Sequence, residues 1–244
     1  MPITPHSHKV PFIKNARAQD LAYEVIRSAN TASLATLDIA SGYPLCTLVN
    51  FAADADGSPI FHISNLSLHT RNVMHNNRVS LLVSPSGSGD LPRTVRITLV
   101  GRLHPLEDQD GAAKRRYLTY NPSAASYPHA PGFHLLKMTI EATHLIDGAG
   151  GPPEVVINRL IDAGLPDDNY AHQLRLPEDY WATQQTVLAS ILAKRNLATA
   201  DEITLRAIWA DGVLLGFDGK LLFARFKSKA EDAEEALAAV LNFA

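Results

Sequence analysis

Cysteine is almost missing: Cys46 is the only one in 244 residues. A single thiol forms no internal disulfide and builds no cysteine-based metal centre. That usage fits a reducing compartment, and a cytoplasmic address is expected. Charge is also sparse. Charged residues make up 19% of the chain, the net charge is −3, and no basic stripe marks a nucleic-acid footprint, so none is expected as a partner. No apolar run approaches the ~20 residues a membrane helix needs, so no membrane partner is expected. The opening MPITPHSHKVPF is polar and proline-broken, without the apolar stretch of a secretory leader.

What remains is a chain with 46% apolar residues, enough for a real core in one large domain or two modest ones. Ten histidines keep metal and haem chemistry open. Residues 1–14 read as a loose tail. Helical spacing of Leu21, Ala22, Val25, Ile26 and Ala29 predicts a helix over 18–29. Strands follow at 32–38, 44–52 and 59–64, joined by Ser41-Gly42 and Asp56-Gly57 turns, the pattern of a meander. A short helix at 68–76, strands at 79–83 and 94–103, a helix at 110–120 stopped by Asn121-Pro122, and a long strand at 133–146 complete about six strands. That is the count of a small barrel. Gly148 to Pro153 reads as a linker between a domain at 15–151 and another at 152–244. Beyond it, helices at 154–163 and 184–197, three strands at 203–209, 213–217 and 221–226, and a closing helix at 229–243 predict an α–β–β–β–α module with helices over one sheet face.

The stretch PIFHISNLSLHTRNVMHNNRVSLLV, residues 59–83, carries the most chemistry. A strand delivers Ser64 to its end, Ser67 is placed to cap a helix, and His69, Thr70 and Arg71 fall in or just inside the first turn. Hydroxyls, free amides and a guanidinium at a helix start make an anion site. On the residues alone, a capped helix with solvated polar side chains is the favoured reading, since serine caps are common.

This run, with SLATLD and GYPLCTLVNFAAD before it and TVRITLVGRLHPL and the 116–151 segment after it, resembles the FMN-binding split β-barrel superfamily. That superfamily includes pyridoxamine 5′-phosphate oxidase; the haem-iron-utilisation proteins, which add a C-terminal α/β module, are the most similar clade. The resemblance implies an α+β fold and a homodimer with FMN at the interface. It places the strand backbone at Cys46, Thr47, Leu48 and Val49 beside the flavin ring, and Ser64 near the ribityl chain or phosphate. His69, Thr70 and Arg71 would meet the phosphate, with Thr94 and Arg96 on the strand that faces the flavin from the adjacent side. The oxidase proper carries arginine at the Cys46 position and Arg-Lys at His69-Thr70. Fewer fixed charges therefore hold a phosphate here, and pyridoxamine phosphate oxidation is disfavoured. Two functions follow: an FMN-dependent oxidoreductase whose substrate and catalytic acid or base are not named, or a non-enzymatic haem- or flavin-binding or partner-regulating protein.

Blander readings cover the other candidates. Cys46 is expected to be a buried structural thiol. His6 and His8 belong to the tail, His62 to a strand, and His75 to a helix end. His129, His134, His144 and His172 are open as haem ligands, with no pattern favouring one. The pairs Asp167-Asp168 and Glu234-Glu235 read as a turn and an exposed helix face. Trp181 belongs to the second module, and Trp209 is expected to pack under the closing helix.

Overall fold

The computed structural model describes residues 16–84, 94–107, 111–126, 132–148, 169–177, 179–199 and 201–243. The expectations for the tail with His6 and His8, for His129, for the linker past Gly148, for the 154–163 helix and for Asp167-Asp168 lie outside these residues, as does the His172 side chain.

Helix α1 (Ala16–Arg27) buries Ala22, Val25 and Ile26, the stripe its spacing predicted. Strands β1 (Thr31–Leu37) and β2 (Pro44–Asn50) pair antiparallel. Their turn is held by Asp38, whose carboxylate accepts from the Ser41 amide at 2.9 Å, and Gly42 takes the left-handed φ of 71° that the turn requires. The expected strand over 44–52 is interrupted at Phe51, and the break shapes the fold. Beyond it, β3 (Ala52–Ala53) pairs with β4 (Pro59–Ser64) instead of β1. The seven-stranded order is β2-β1-β5-β6-β7-β4-β3, so β2 and β3 are opposite edges of one sheet joined by a single residue. Adjacent Cα atoms are only about 3.8 Å apart, so the sheet must curl until its edges nearly meet. Phe51 plugs that seam with no exposed surface.

Helix α2 (Leu68–His75) leads to β5 (Arg78–Val83) and β6 (Arg96–Pro105). Helix α3 (Ala112–Tyr120) ends where Asn121-Pro122 predicted, and β7 (Phe133–Ile146) spans the sheet. The sequence of β7 alternates, with His134, Leu136, Met138 and Ile140 predicted on one face and Phe133, Leu135, Lys137, Thr139 and Glu141 on the other. In the first half Leu136 and Met138 are buried. The alternation then slips: Thr143 and Leu145 face inward. A bulge causes the slip, because Val100 pairs with Ala142 and Gly101 with Ile140, leaving Glu141 as the extra residue.

After a short 3-10 turn (Tyr170–His172), α4 (Tyr180–Thr183) and α5 (Gln185–Ala193) precede a second antiparallel sheet, β8 (Thr204–Trp209), β9 (Gly212–Phe217) and β10 (Lys220–Arg225), closed by α6 (Ala233–Leu241). Both faces of this sheet are covered. Ile208, Val213, Leu215 and Leu222 pack with Leu188, Ile191, Ala236 and Val240 of the helices. Ala207, Trp209, Leu214 and Phe223 join the barrel's own core. Trp209 thus lies on the barrel side of the sheet and not under the closing helix, because its strand position alternates with that of Ile208. At this junction the fully buried Arg27 guanidinium lies 4.4 Å from the Trp209 ring centre and 4.3 Å from that of Phe223, and 3.5 Å from the Asp211 carboxylate. The Tyr23 hydroxyl donates to the same carboxylate, and burial holds the Tyr23 phenol above its usual range.

Candidate functional site

The chemistry-bearing stretch folds as a strand–turn–helix. Ser64 ends β4 and shapes the bend: its hydroxyl accepts from the Leu66 amide at 3.2 Å and its carbonyl accepts from the Ser67 amide at 3.0 Å. Ser67 occupies the N-cap position with extended backbone (φ −72°, ψ 141°), yet its side chain makes no capping bond. The first-turn amides, which have no intrahelical acceptors, therefore keep their capacity for another one.

Within that turn the side chains diverge. His69 is half-buried, with Nδ1 3.2 Å from the Thr47 hydroxyl of β2. Its Nε2 is buried without a hydrogen-bond partner, and burial pushes the imidazole below the usual histidine range. Thr70 is buried, and its hydroxyl oxygen also has no hydrogen-bond partner. Arg71 points outward and is exposed. The structure thus joins Thr47 to His69, with buried Thr70 next along the first turn, Ser64 at its entrance and Arg71 at its rim.

The four β2 residues split by strand alternation. Val49 and the half-buried Thr47 face inward, while Leu48 is 77% exposed and Cys46 is also exposed. The expectation of a buried Cys46 is therefore corrected: β2 is an edge strand, and its outer face carries no covering layer within the described chain. Thr94 is buried and its carbonyl accepts from Arg96 Nη1 at 3.1 Å; both precede or begin β6, which β1 and β5 separate from β2 in the sheet order. The structure does not bring them beside His69 through sheet adjacency. Of the haem candidates, His134 contacts the Asn65 amide at 2.9 Å and His144 is exposed on β7. His62 packs its ring near Tyr117 and Phe133, and burial, then Lys114 and His134, lower its pKa. Among the described residues, no three His, Cys, Asp or Glu side chains converge as a metal-holding group.

One residue escaped the sequence reading. Asn72 is fully buried inside α2, donating to the Thr36 hydroxyl at 3.1 Å and accepting from the Ile39 amide at 3.3 Å. It locks the helix onto β1. The available signal was an asparagine in a helix interior, where it is unfavourable unless a partner requires it.

A curled seven-stranded antiparallel sheet, with a strand–turn–helix set beside its β2 edge, defines a split β-barrel of the pyridoxamine 5′-phosphate oxidase-like class. More narrowly, the chain belongs to the CREG beta-barrel family, whose model matches residues 14–171. Among curated proteins it is 42% identical over 85 residues to "Non-canonical heme oxygenase HOZ, chloroplastic" of Arabidopsis thaliana; the match covers 34% of this chain and 26% of that protein. Among solved structures it is similar to the protein Atu2129 of Agrobacterium tumefaciens, of unknown function, at 28% identity and a TM-score of 0.68, covering 98% of this chain and 97% of the other. A heme binding protein from Mycobacterium smegmatis shares the fold at 20% identity and a TM-score of 0.55, over 92% and 94% of the two chains. No helix among the described residues is long and apolar enough to cross a membrane.

Proposed function

We propose that this chain is an FMN-binding flavoprotein of the oxidoreductase type, with the flavin phosphate held at the start of α2 and the ring along β2. One observation carries the reading: His69 Nε2 and Thr70 Oγ1 are buried polar atoms without hydrogen-bond partners, beside a helix start with no side-chain cap. Orphaned buried donors are costly, and a phosphate oxygen satisfies them. With the Thr47 hydroxyl donating to Nδ1, the neutral imidazole carries its proton on Nε2 and donates to the anion. Arg71 adds the permanent charge from the rim, and the open edge of β2 offers backbone groups to the ring. Bound FMN supplies hydride or electron transfer; the chain supplies position and a low-dielectric wall. The flavin sits between two copies of the chain, and the exposed apolar face around Leu48 supports that pairing.

The second reading is a haem- or flavin-binding protein without tight FMN. The 85-residue match to a heme oxygenase favours it, as does a phosphate site with one permanent cation. Separate titrations of the purified protein with FMN and haemin, followed by visible absorption, decide between them. Saturable shifts of the two flavin bands support the proposal. An unchanged flavin spectrum together with a saturable Soret band overturns it in favour of the second reading.

A further inference from the structure

A second site lies away from the β2–α2 turn, where the barrel meets the second sheet. Between α3, the Tyr170 turn and β8 there is a cavity of about 710 Å³, within the range that holds a drug-sized ligand. Three guanidiniums line it, from Arg115, Arg116 and Arg206, and no carboxylate appears among its described lining residues. Apolar wall comes from Leu118, Leu205 and the Trp209 ring.

The arginines are built into place. Arg206 is the extra residue of a bulge, since Leu205 pairs with Leu215 and Ala207 with Leu214. Such a bulge re-aims one side chain, and this one lies across Gly216, where an added Cβ would meet Arg206 Nε at 2.8 Å. That Nε is buried with no hydrogen-bond partner. Arg116 is itself 4% exposed, with its guanidinium 4.7 Å from the Trp209 ring centre and its Nε 3.6 Å from Asp54. Asp54 also pairs with Lys137, which Asp56 meets at 3.1 Å, so Arg116 and Lys137 share two carboxylates. Arg115 and Arg206 form no ion pair among the described residues, and they bring positive charge to a partly apolar cavity.

We infer that this cavity binds an organic anion: a flat, largely apolar body carrying an acidic head that the Arg206 and Arg115 guanidiniums grip. Charge-assisted contacts to a guanidinium are the strong class of hydrogen bond, and Arg forks match oxyacid geometry. The site shares no residue with the proposed flavin cradle, so the two ligands bind independently.

Anilinonaphthalene sulfonate serves as the probe, because its emission reports binding and Trp209 in the cavity wall can transfer energy to it. The full-length protein is titrated, then Arg206→Gln, Arg115→Gln and Arg115→Glu. Affinity is expected to drop about tenfold or more in Arg206→Gln, less in Arg115→Gln, and further in Arg115→Glu, with FMN titrations unchanged in all three. Phenylnaphthylamine, the same body without the sulfonate, is expected to bind weakly and alike in every variant. Arg115 is exposed on α3, so its variants stay informative if Arg206→Gln disturbs β8. Sulfonate affinity that is absent, or equal in wild type and both Arg115 variants, overturns the inference.

Discussion

His69 and Arg71 stand two positions apart on α2 but meet opposite environments, and their contributions to anion binding differ accordingly. Arg71 is exposed and permanently charged, so its grip on a phosphate is screened but real. Arg71→Ala is expected to weaken FMN by roughly 1.5–3 kcal/mol, the scale of one charge-assisted bond, while riboflavin, which lacks the phosphate, binds as before; equal losses for both flavins in parallel titrations would contradict the assignment. His69 acts as a neutral donor at pH 7, because burial lowers its pKa. An unfolded histidine takes up its proton near ~6.5, whereas folded His69 does so only at lower pH. Its contribution to stability is therefore complete above that value and is lost as pH falls toward its folded pKa. A bound phosphate reverses the preference by favouring the imidazolium, so FMN affinity attributable to His69 rises on acidification below neutrality. The difference between wild type and His69→Gln, titrated across pH, isolates it; a difference independent of pH contradicts it. Arg27 makes a different kind of contribution, since its charge is buried against Asp211 and three aromatic rings. Arg27→Met leaves Asp211 buried without its cation and is expected to cost about 3–5 kcal/mol in urea denaturation, much of it recovered in the Arg27→Met, Asp211→Asn double variant. An unchanged midpoint in the single variant would show the pair to be without consequence.

At the scale of elements, the sequence was most readable where turn chemistry punctuated it. Asp56-Gly57 and Asp218-Gly219 mark hairpins because glycine accepts the positive φ these turns use, 75° and 69°. Helix α1 was readable from its apolar stripe, and β7 from its alternation up to the bulge. The bulges were hidden, because a single extra residue leaves composition unchanged while reversing which side chains face inward. Gly101 was the available clue. A Cβ there would lie 2.0 Å from the Thr139 carbonyl oxygen, so only a bare backbone lets β6 and β7 close at the bulge. Gly101→Ala is expected to destabilise the fold by at least about 1–3 kcal/mol through overpacking against rigid backbone; a variant with wild-type stability would contradict that. Within the candidate site, family resemblance singled out Thr47, His69 and Thr70, and the structure sets the Thr47 hydroxyl against His69. The fate of Cys46 was misjudged because an apolar strand segment looks alike in a core and at an edge. Trp209 was misjudged because both faces of its sheet are apolar, so alternation could not say which face met the helices.

The whole molecule is organised by apolar faces that must each find a cover. All six residues of β9 are buried, with helices on one side and the barrel core on the other. The barrel and the second sheet therefore share a core, and calorimetry of the intact protein is expected to show one unfolding transition; two well-separated transitions would contradict the shared core. Among the described residues, no layer covers the outer face of the barrel sheet. Leu48, Leu82 and Val100 are 77%, 41% and 37% exposed across β2, β5 and β6, and Cys46 lies in the same layer. A second copy of the chain covers this face in the proposed dimer, at a scale of about 2,000 Å² or more for an obligate interface. Leu82→Lys is expected to shift sedimentation equilibrium toward monomer, whereas a monomeric wild type at micromolar concentration would contradict the pairing. Pairing also bears on the cofactor, because Leu48 and Thr47 alternate on β2 between the outer face and the His69 contact. The most direct test of the flavin cradle is an amide-resolved NMR titration of the isotopically labelled protein with FMN. The account predicts saturable shifts at Thr47, His69, Thr70 and Arg71 that riboflavin reproduces along β2 but not at the start of α2. Shifts confined to other surfaces, or a spectrum unmoved by FMN, would contradict it.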